Sequence, residues 1–283
     1  MLGSLNSGVS GLRQFQTKMD VIGNNIANSN TIAFKAARAD FADALSQTLQ
    51  APSSGQGTPA MQVGTGVSTT AIKNIYDPGS TARTGVQTDL AISGDGFFVV
   101  KDTIDDHEYA TRAGDFRVDD TGYLVTNSGL RVQGYSDGTL ATRGDIQIDG
   151  TGRPATSSPT ATVQGFSIDQ AGKITVRLSD NTQFVRGQIL LQNFQNPQAL
   201  VKQGNSIYSG INDAGPLGGA TPQTEAPGTS GLGQIQTGTL ELSNVDLTEE
   251  FANLITTQRG FQASARVITT SDELLQELVN LKR

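Results

Sequence analysis

Apolar residues recur every seven positions at both ends of this 283-residue chain. Near the start the repeat runs Leu5, Leu12, Met19 and Ile26, with Leu2 and Val9 three residues ahead of the first two. Toward the end it runs Leu247, Leu254, Phe261, Ile268 and Leu275, accompanied by Phe251, Ala265 and Val279. A seven-residue step gathers these side chains into a narrow stripe on a helix, suited to burial against another helix. A stripe that narrow gains too little by itself to offset the entropy of ordering a long segment. The ends therefore read as helices that other copies of the chain complete, disordered when unpartnered.

The middle follows a different pattern. It is rich in Gly, Thr, Asp and Asn, with short alternating apolar runs that predict β-hairpins. Expected strands are Val67 to Ile75, Asp89 to Ile92, Phe97 to Lys101, Tyr109 to Arg112, Phe116 to Val118, Tyr123 to Thr126 and Leu130 to Gly134. Between them stand Asp77-Pro78-Gly79, Gly94-Asp95-Gly96, Asp120-Thr121-Gly122 and Asp137-Gly138, each offering a residue tolerant of positive φ at a reversal. Phe97-Phe98-Val99-Val100 is the strongest buried-strand signal and is expected to anchor the core.

One internal echo stands out. Phe116-Arg117-Val118-Asp119-Asp120-Thr121-Gly122-Tyr123-Leu124 matches Phe166-Ser167-Ile168-Asp169-Gln170-Ala171-Gly172-Lys173-Ile174. Two copies are too few for a solenoid, and each supplies too few oxygen ligands for an EF-hand loop. They are expected to be two similar hairpins whose Asp and Gly build the turn.

The helical ends need boundaries. The Asn-rich run Gly23 to Thr31 either ends the first helix or lines a polar seam between helices, because Asn favours caps and turns. Beyond it, Phe34, Ala37, Phe41, Ala44 and Leu45 keep a helical spacing, so a second helical piece is expected up to Leu49. Ala51 to Ala60 and Asn212 to Gly233 read as loops from their Gly and Pro. At the far end Asp246 is placed as N-cap with Glu249 three residues on, the spacing of a capping box. About 35 residues from there would make a helix roughly 50 Å long.

With 36% hydrophobic residues and no Trp, one large core is not expected. The fold class is α+β: a mostly antiparallel β centre with long N- and C-terminal helices. The division expected is a helical segment and extended loop over 1–66, a β domain over 67–210, a Gly/Pro-rich linker over 211–240 and a terminal helix over 241–283. A net charge of -7 argues against nucleic acid, which demands a basic face. Without cysteine there are no disulfides, thiolate metal sites or cysteine nucleophiles. No run approaches the ~20 apolar residues of a membrane span. No charged region followed by a continuous apolar block opens the chain, so no cleaved signal peptide is expected.

Catalytic motifs are scarce. His107 is the single histidine, so one chain cannot build a His-based metal cluster. Asp105-Asp106 and Asp119-Asp120 could supply a glycosidase's carboxylates, but they stand in turn contexts where Asp caps the backbone. Gly64-Thr65-Gly66 lacks the Lys of a phosphate loop. Neither catalysis, cofactor nor metal is expected.

The ends resemble those of bacterial flagellar axial proteins, hook proteins most closely. The residues that carry this are Ser7-Gly8-Val9-Ser10-Gly11-Leu12, Asp20 through Asn28, and Phe34-Lys35. Asp89 through Phe98 resembles that family's entry into its β domain. Ser243-Asn244-Val245-Asp246-Leu247, Gln258-Arg259-Gly260-Phe261-Gln262 and the ending Leu278-Val279-Asn280-Leu281 are similar to its terminal helix. Together these blocks span roughly a third of the chain, in order.

The resemblance implies a subunit that polymerises into a hollow helical tube, with the terminal helices forming an inner coiled-coil-like layer. It implies the flagellum as location and the flagellar type III export apparatus as partner, without a cleaved leader. Neighbouring axial proteins (distal rod, hook cap, hook–filament junction) are implied as further partners. The stretch Val245 to Phe251 with Gln258 to Phe261 favours a torque-transmitting hook, with the distal rod as the alternative. A secreted adhesin or carbohydrate-active protein is a more remote possibility. The expected assembly contacts are Leu5, Leu12, Met19, Ile26, Leu247, Phe251, Leu254, Phe261, Ile268 and Leu275.

Overall fold

A computed structural model describes residues 2–50, 61–155, 157–158, 160–217 and 225–281. The expected loop at Ala51 to Ala60 lies outside these, as does 218–224 of the second loop. The chain divides into two compact units. One is helical and comprises Met1–Ser29, Ala36–Ile75 and Val245–Arg283. The other is the β unit, comprising Asn30–Lys35 and Tyr76–Asn244.

In the helical unit, α1 spans Leu2–Ala27 and α2 spans Leu247–Leu281. Asp246 caps α2 as expected: its Oδ1 accepts from the backbone N–H of Thr248 at 2.7 Å and of Glu249 at 3.3 Å. Those amides lack intrahelical partners, and the first-turn Glu249 and Glu250 also face the positive end of the helix dipole. At the close of α1 the Asn28 amide bonds to Asn24 O at 3.1 Å, and the Asn28 Nδ2 reaches the same carbonyl at 2.9 Å.

The expected second N-terminal helix is absent. Ala37–Asp43 is instead a strand, antiparallel to Val67–Asn74, with a register irregularity between Asp40 and Phe41. Interleaved Arg38, Asp40 and Asp43 break the face that a helix would bury, whereas pairing lets Ala39 go inside. Asp40 then lies 3.0 Å from Arg38 on its own strand and 3.0 Å from Lys73 across the pair. A short apolar run has no period long enough to exclude either state, and the available partner strand decides. Beyond it Ser46–Gln50 pairs with Met61–Gly64 as a second antiparallel pair.

The β unit centres on one antiparallel sheet. Its main spatial order is Val163–Ile168, Lys173–Leu178, Gln183–Ile189, Arg131–Tyr135, Phe97–Lys101, Glu108–Thr111, Ile207–Ser209, Val201–Gly204. The strands expected from sequence are found with no end displaced by more than one residue, and Phe97–Lys101 is unshifted. Phe97–Lys101 sits centrally, and alternation sends its side chains to two cores. Phe98 and Val100 join Leu90, Leu124, Val132 and Ile189, while Phe97 joins Phe194, Leu200 and Tyr208. Phe98 meets Phe116 edge-on, centroids 5.1 Å apart.

The echoed hairpins are built alike. Asp119 Oδ1 accepts from Tyr123 N at 2.9 Å, and Asp169 Oδ1 accepts from Lys173 N at 2.8 Å. Gly122 and Gly172 follow at φ 85° and 76°, where a side chain is strained. Both aspartates are turn builders.

The described residues of 211–240 differ from the linker expected. Ile211 and Ala214 pack in one core, Leu232 and Ile235 in the other. Gln234–Thr237 pairs with Leu90–Ser93, and Thr239–Glu241 pairs with Thr81–Arg83. Gly and Pro content signalled an irregular path, but the few apolar residues on it find sheet edges to close.

Candidate functional site

The striped helices are the candidate assembly surface, and the structure changes what their stripes meet. α1 and α2 pack against each other within one chain. The expectation that each stripe finds a mate only in another copy is corrected to that extent. Three glycines lie at the contact. A Cβ placed on Gly8 would stand 3.1 Å from Ile268 Cγ1, on Gly11 3.2 Å from Ser264 Oγ, and on Gly260 2.6 Å from the Phe15 ring. Thr257 and Ser271 are buried, and their hydroxyls donate back to Asn253 O and Val267 O at 2.6 and 2.7 Å. Thr257, Ser264 and Ser271 thus form their own seven-residue step beside the apolar one.

Close approach through small residues leaves the larger ones on the flanks. Leu5, Leu12, Met19 and Ile26 on α1 are only half-buried, as are Leu254, Phe261, Ile268 and Leu275 on α2. Leu247 and Phe251 are exposed, Phe251 at 49%. The sequence reading missed a further exposed set on α2: Ile255 at 59%, Val267, Leu274 and Leu278. Leu274, Leu278 and Leu281 at i, i+4 and i+7 were the available signal. The Ser46–Gln50 and Met61–Gly64 pair adds Leu49 at 61% and Met61 at 55%, with Leu45 beside it at 90%. These exposed residues make the helical unit the candidate interaction surface.

One polar contact fixes the helical unit from inside. Asn25 is buried, and its Nδ2 donates to Ala37 O at 2.8 Å and to Glu250 Oε1 at 2.9 Å, while its Oδ1 accepts from Ala37 N at 3.0 Å. It thereby joins α1, the following strand and the first turn of α2. Of the two readings of the Asn-rich run, Asn25 lies in the seam and Asn28 ends the helix. Burial pushes the Glu250 carboxyl above its ordinary pKa, and the Asn25 hydrogen bond pulls it partly back.

Residues considered for chemistry are dispersed. His107 and Asp105 are exposed, and Asp106 pairs with Lys101 at 2.8 Å. Among the described residues no group of three His, Cys, Asp or Glu could hold a metal. A cavity of about 410 Å³ in the β unit is lined by Thr31, Thr111, Asp115, Asn127 and Ser206, among others. None of its lining residues is a histidine or lysine that could activate a hydroxyl. Among the described residues no helix is long and apolar enough to cross a membrane.

Comparison with known proteins follows the same division. Residues 5–35 match the family described as flagella basal body rod protein. Residues 91–176 match the flagellar hook protein FlgE/F/G D1 domain, and residues 236–281 match the flagellar basal body rod FlgEFG protein C-terminal family. Over 287 aligned residues, 100% of both chains, the protein is 43% identical to the flagellar basal-body rod protein FlgG of Bacillus subtilis strain 168. It is 33% identical to FlgG of Buchnera aphidicola subsp. Baizongia pistaciae, over 98% of this chain and 99% of that one. With the flagellar hook protein FlgE of Borreliella burgdorferi it shares 28% identity over an alignment of 448 residues, covering both chains in full. End-to-end identity at this level, with helical ends and a β centre where the family signatures fall, shows that the chain belongs to the flagellar hook and rod family of axial structural proteins, a non-enzymatic part of the bacterial flagellum.

Proposed function

We propose that this chain is the subunit of the distal rod, polymerising through its helical unit into a stiff hollow segment of the drive shaft. The observation that carries the rod over the hook is length together with identity. The alignment to the rod protein runs end to end in 287 residues at 43%, whereas that to the hook protein must stretch to 448 residues at 28%. The sequence reading preferred the hook from the first turns of α2; the support now lies with its alternative.

Polymerisation is supported by the exposed apolar residues of the helical unit. Leu5, Leu12, Met19, Ile26, Leu254, Phe261, Ile268 and Leu275 are half-covered by their own chain, and Leu247 and Phe251 are open. A second copy that covers them removes apolar surface from water at about 25 cal/mol per Å². Export by the flagellar type III apparatus without a cleaved leader, and contacts with neighbouring axial proteins, complete the proposal. So does the division of labour between terminal helices that assemble and a β centre that does not.

Gold-labelled antibody against this chain, applied to purified hook–basal bodies, tests the placement. Label on the straight shaft below the hook is expected. Label along the curved hook would return the chain to the hook reading.

A further inference from the structure

The chain passes between its two units four times, at 29/30, 35/36, 75/76 and 244/245. Three segments of the β unit adjoin these crossings: Asn30–Lys35, the residues from Tyr76 onward, and those up to Asn244. One buried carboxylate reaches all three. Glu241 Oε1 lies 2.6 Å from Lys35 Nζ and accepts from Gly79 N at 2.9 Å. Glu241 Oε2 lies 3.4 Å from Arg112 Nη1, one residue past the strand Glu108–Thr111. The side chains of Lys35, Glu241 and Arg112 are exposed by 0%, 1% and 2%.

Further bonds converge on the same place. Lys35 Nζ also donates to Asp77 O at 2.7 Å, and Asn244 Nδ2 donates to that carbonyl at 3.1 Å. The backbone N–H of Ala33 donates to Glu241 O at 2.9 Å, and that of Leu242 to Ser80 O at 2.8 Å. Lys202 Nζ donates to Lys35 O at 2.8 Å and lies 4.4 Å from the centre of the Phe34 ring. Arg112 stacks over Phe97, 5.2 Å from its centroid, which ties the cluster to the second core. Burial draws the Lys35 ammonium below its ordinary pKa, and Glu241 opposes that shift. A side chain at Gly79 would collide with the Leu242 carbonyl oxygen, so the segments lie in direct backbone contact.

We propose that Lys35, Glu241 and Arg112 form an anchorage that ties every segment connecting the two units, and that tension arriving along the chain is borne there. The mechanical role rests on the proposed place of the chain in a torque-carrying shaft; the anchorage itself does not. A strand end held by two or three backbone bonds can fray one bond at a time. A charge held by two cations and an amide inside the protein cannot leave stepwise, because removing one partner strands the others without water. The cluster also gives Phe34-Lys35 and the stretch around Ser243 a common purpose: in sequence they stand at opposite ends, in the fold they are bonded.

The test uses the full chain, dilute and unassembled, so a failure of the rod assignment leaves its result standing. The chain has no cysteine, so Ser29→Cys with Val245→Cys provides unique handles for single-molecule pulling. Lower rupture force in Glu241→Gln and Lys35→Met, with no change in the exposed-pair control Asp40→Asn, is expected. Rupture at the parental force in both variants would overturn the anchorage. Hydrogen exchange provides the second arm and needs only the parental protein. The amides of Ala33, Gly79 and Leu242 are expected among the slowest, and Glu241→Gln accelerates them by ~100-fold or more. Rapid exchange at these three amides in the parental chain would refute the proposal even if the variants failed to fold.

Discussion

The β unit keeps its large apolar side chains inside, and the helical unit does not. Of the large hydrophobic residues exposed among the described residues, fourteen lie in the helical unit and seven in the larger β unit. Among its described residues the helical unit buries, of the hydrophobic ones, only Ile22, Ala36 and Ala39, beside the polar Asn25, Thr257 and Ser271. The β unit closes two cores around Phe98 and Phe97. One unit is finished by its own chain; the other is held in shape by it and leaves large apolar side chains open. A seven-residue stripe on each of two helices can close one seam, and whatever flanks that seam stays in contact with water.

The largest effect that would test this contrast is in the β core. Phe98→Ala removes a fully buried ring and is expected to destabilise the β unit by about 3–5 kcal/mol, read by urea denaturation. The same truncation at Phe251, exposed at 49%, should leave monomer stability within about 0.5 kcal/mol and act on assembly alone. Comparable destabilisation from both would erase the distinction.

Next comes assembly. Leu254→Asp or Phe261→Asp is expected to abolish polymer formation seen by electron microscopy, while the β unit keeps its denaturation midpoint. Polymers of normal yield from either variant would move the interface elsewhere.

The seam itself is open to a steric probe. Gly260→Val drives a side chain into the Phe15 ring and is expected to cost about 1–3 kcal/mol in the helical unit. Adding Phe15→Ala should recover part of that loss, an interaction measurable by a double-mutant cycle. An additive double variant would show that α1 and α2 do not meet there in solution.

The smallest expected effect is a pH dependence. Burial raises the Glu250 carboxyl, so the folded helical unit prefers it protonated. That contribution is fully present below the unfolded pKa and is lost as pH rises through the folded value. Glu250→Gln keeps an acceptor for Asn25 and should flatten this part of the stability–pH curve. An unchanged curve would mean that Glu250 is solvated like any surface carboxylate.

Much of this was legible in the residues themselves. The Asp246 cap, the central strand at Phe97, the echoed Asp-and-Gly turns and the two striped ends all rest on local chemistry: a side-chain oxygen beside free amides, alternation, positive φ, a seven-residue step. Less legible was anything decided by a distant partner. Ala37 to Asp43 has a helical spacing and became a strand because Val67–Asn74 lies ready to pair with it. The sheet likewise captured residues after 211 whose composition read as a linker. In the candidate surface, the large apolar residues on the seven-residue step were identified from their spacing, while Ile255, Val267, Leu274 and Leu278 off that step were not. The glycines at the contact, Gly8, Gly11 and Gly260, and the buried Thr257 and Ser271 carry no hydrophobic signal.

By itself, then, the order of residues determined the two terminal helices, the cap of the second, the central hairpins, and that the ends carry narrow apolar stripes. Tertiary structure alone decided that the two stripes share a seam through glycine and serine, that Asn25 spans it, and that Lys35 and Glu241 close a charged knot across 206 positions of chain. The reason is one of range. Capping, turn geometry and periodicity act over a few neighbouring residues, whereas a contact between remote segments depends on which surfaces the completed fold brings within bonding distance.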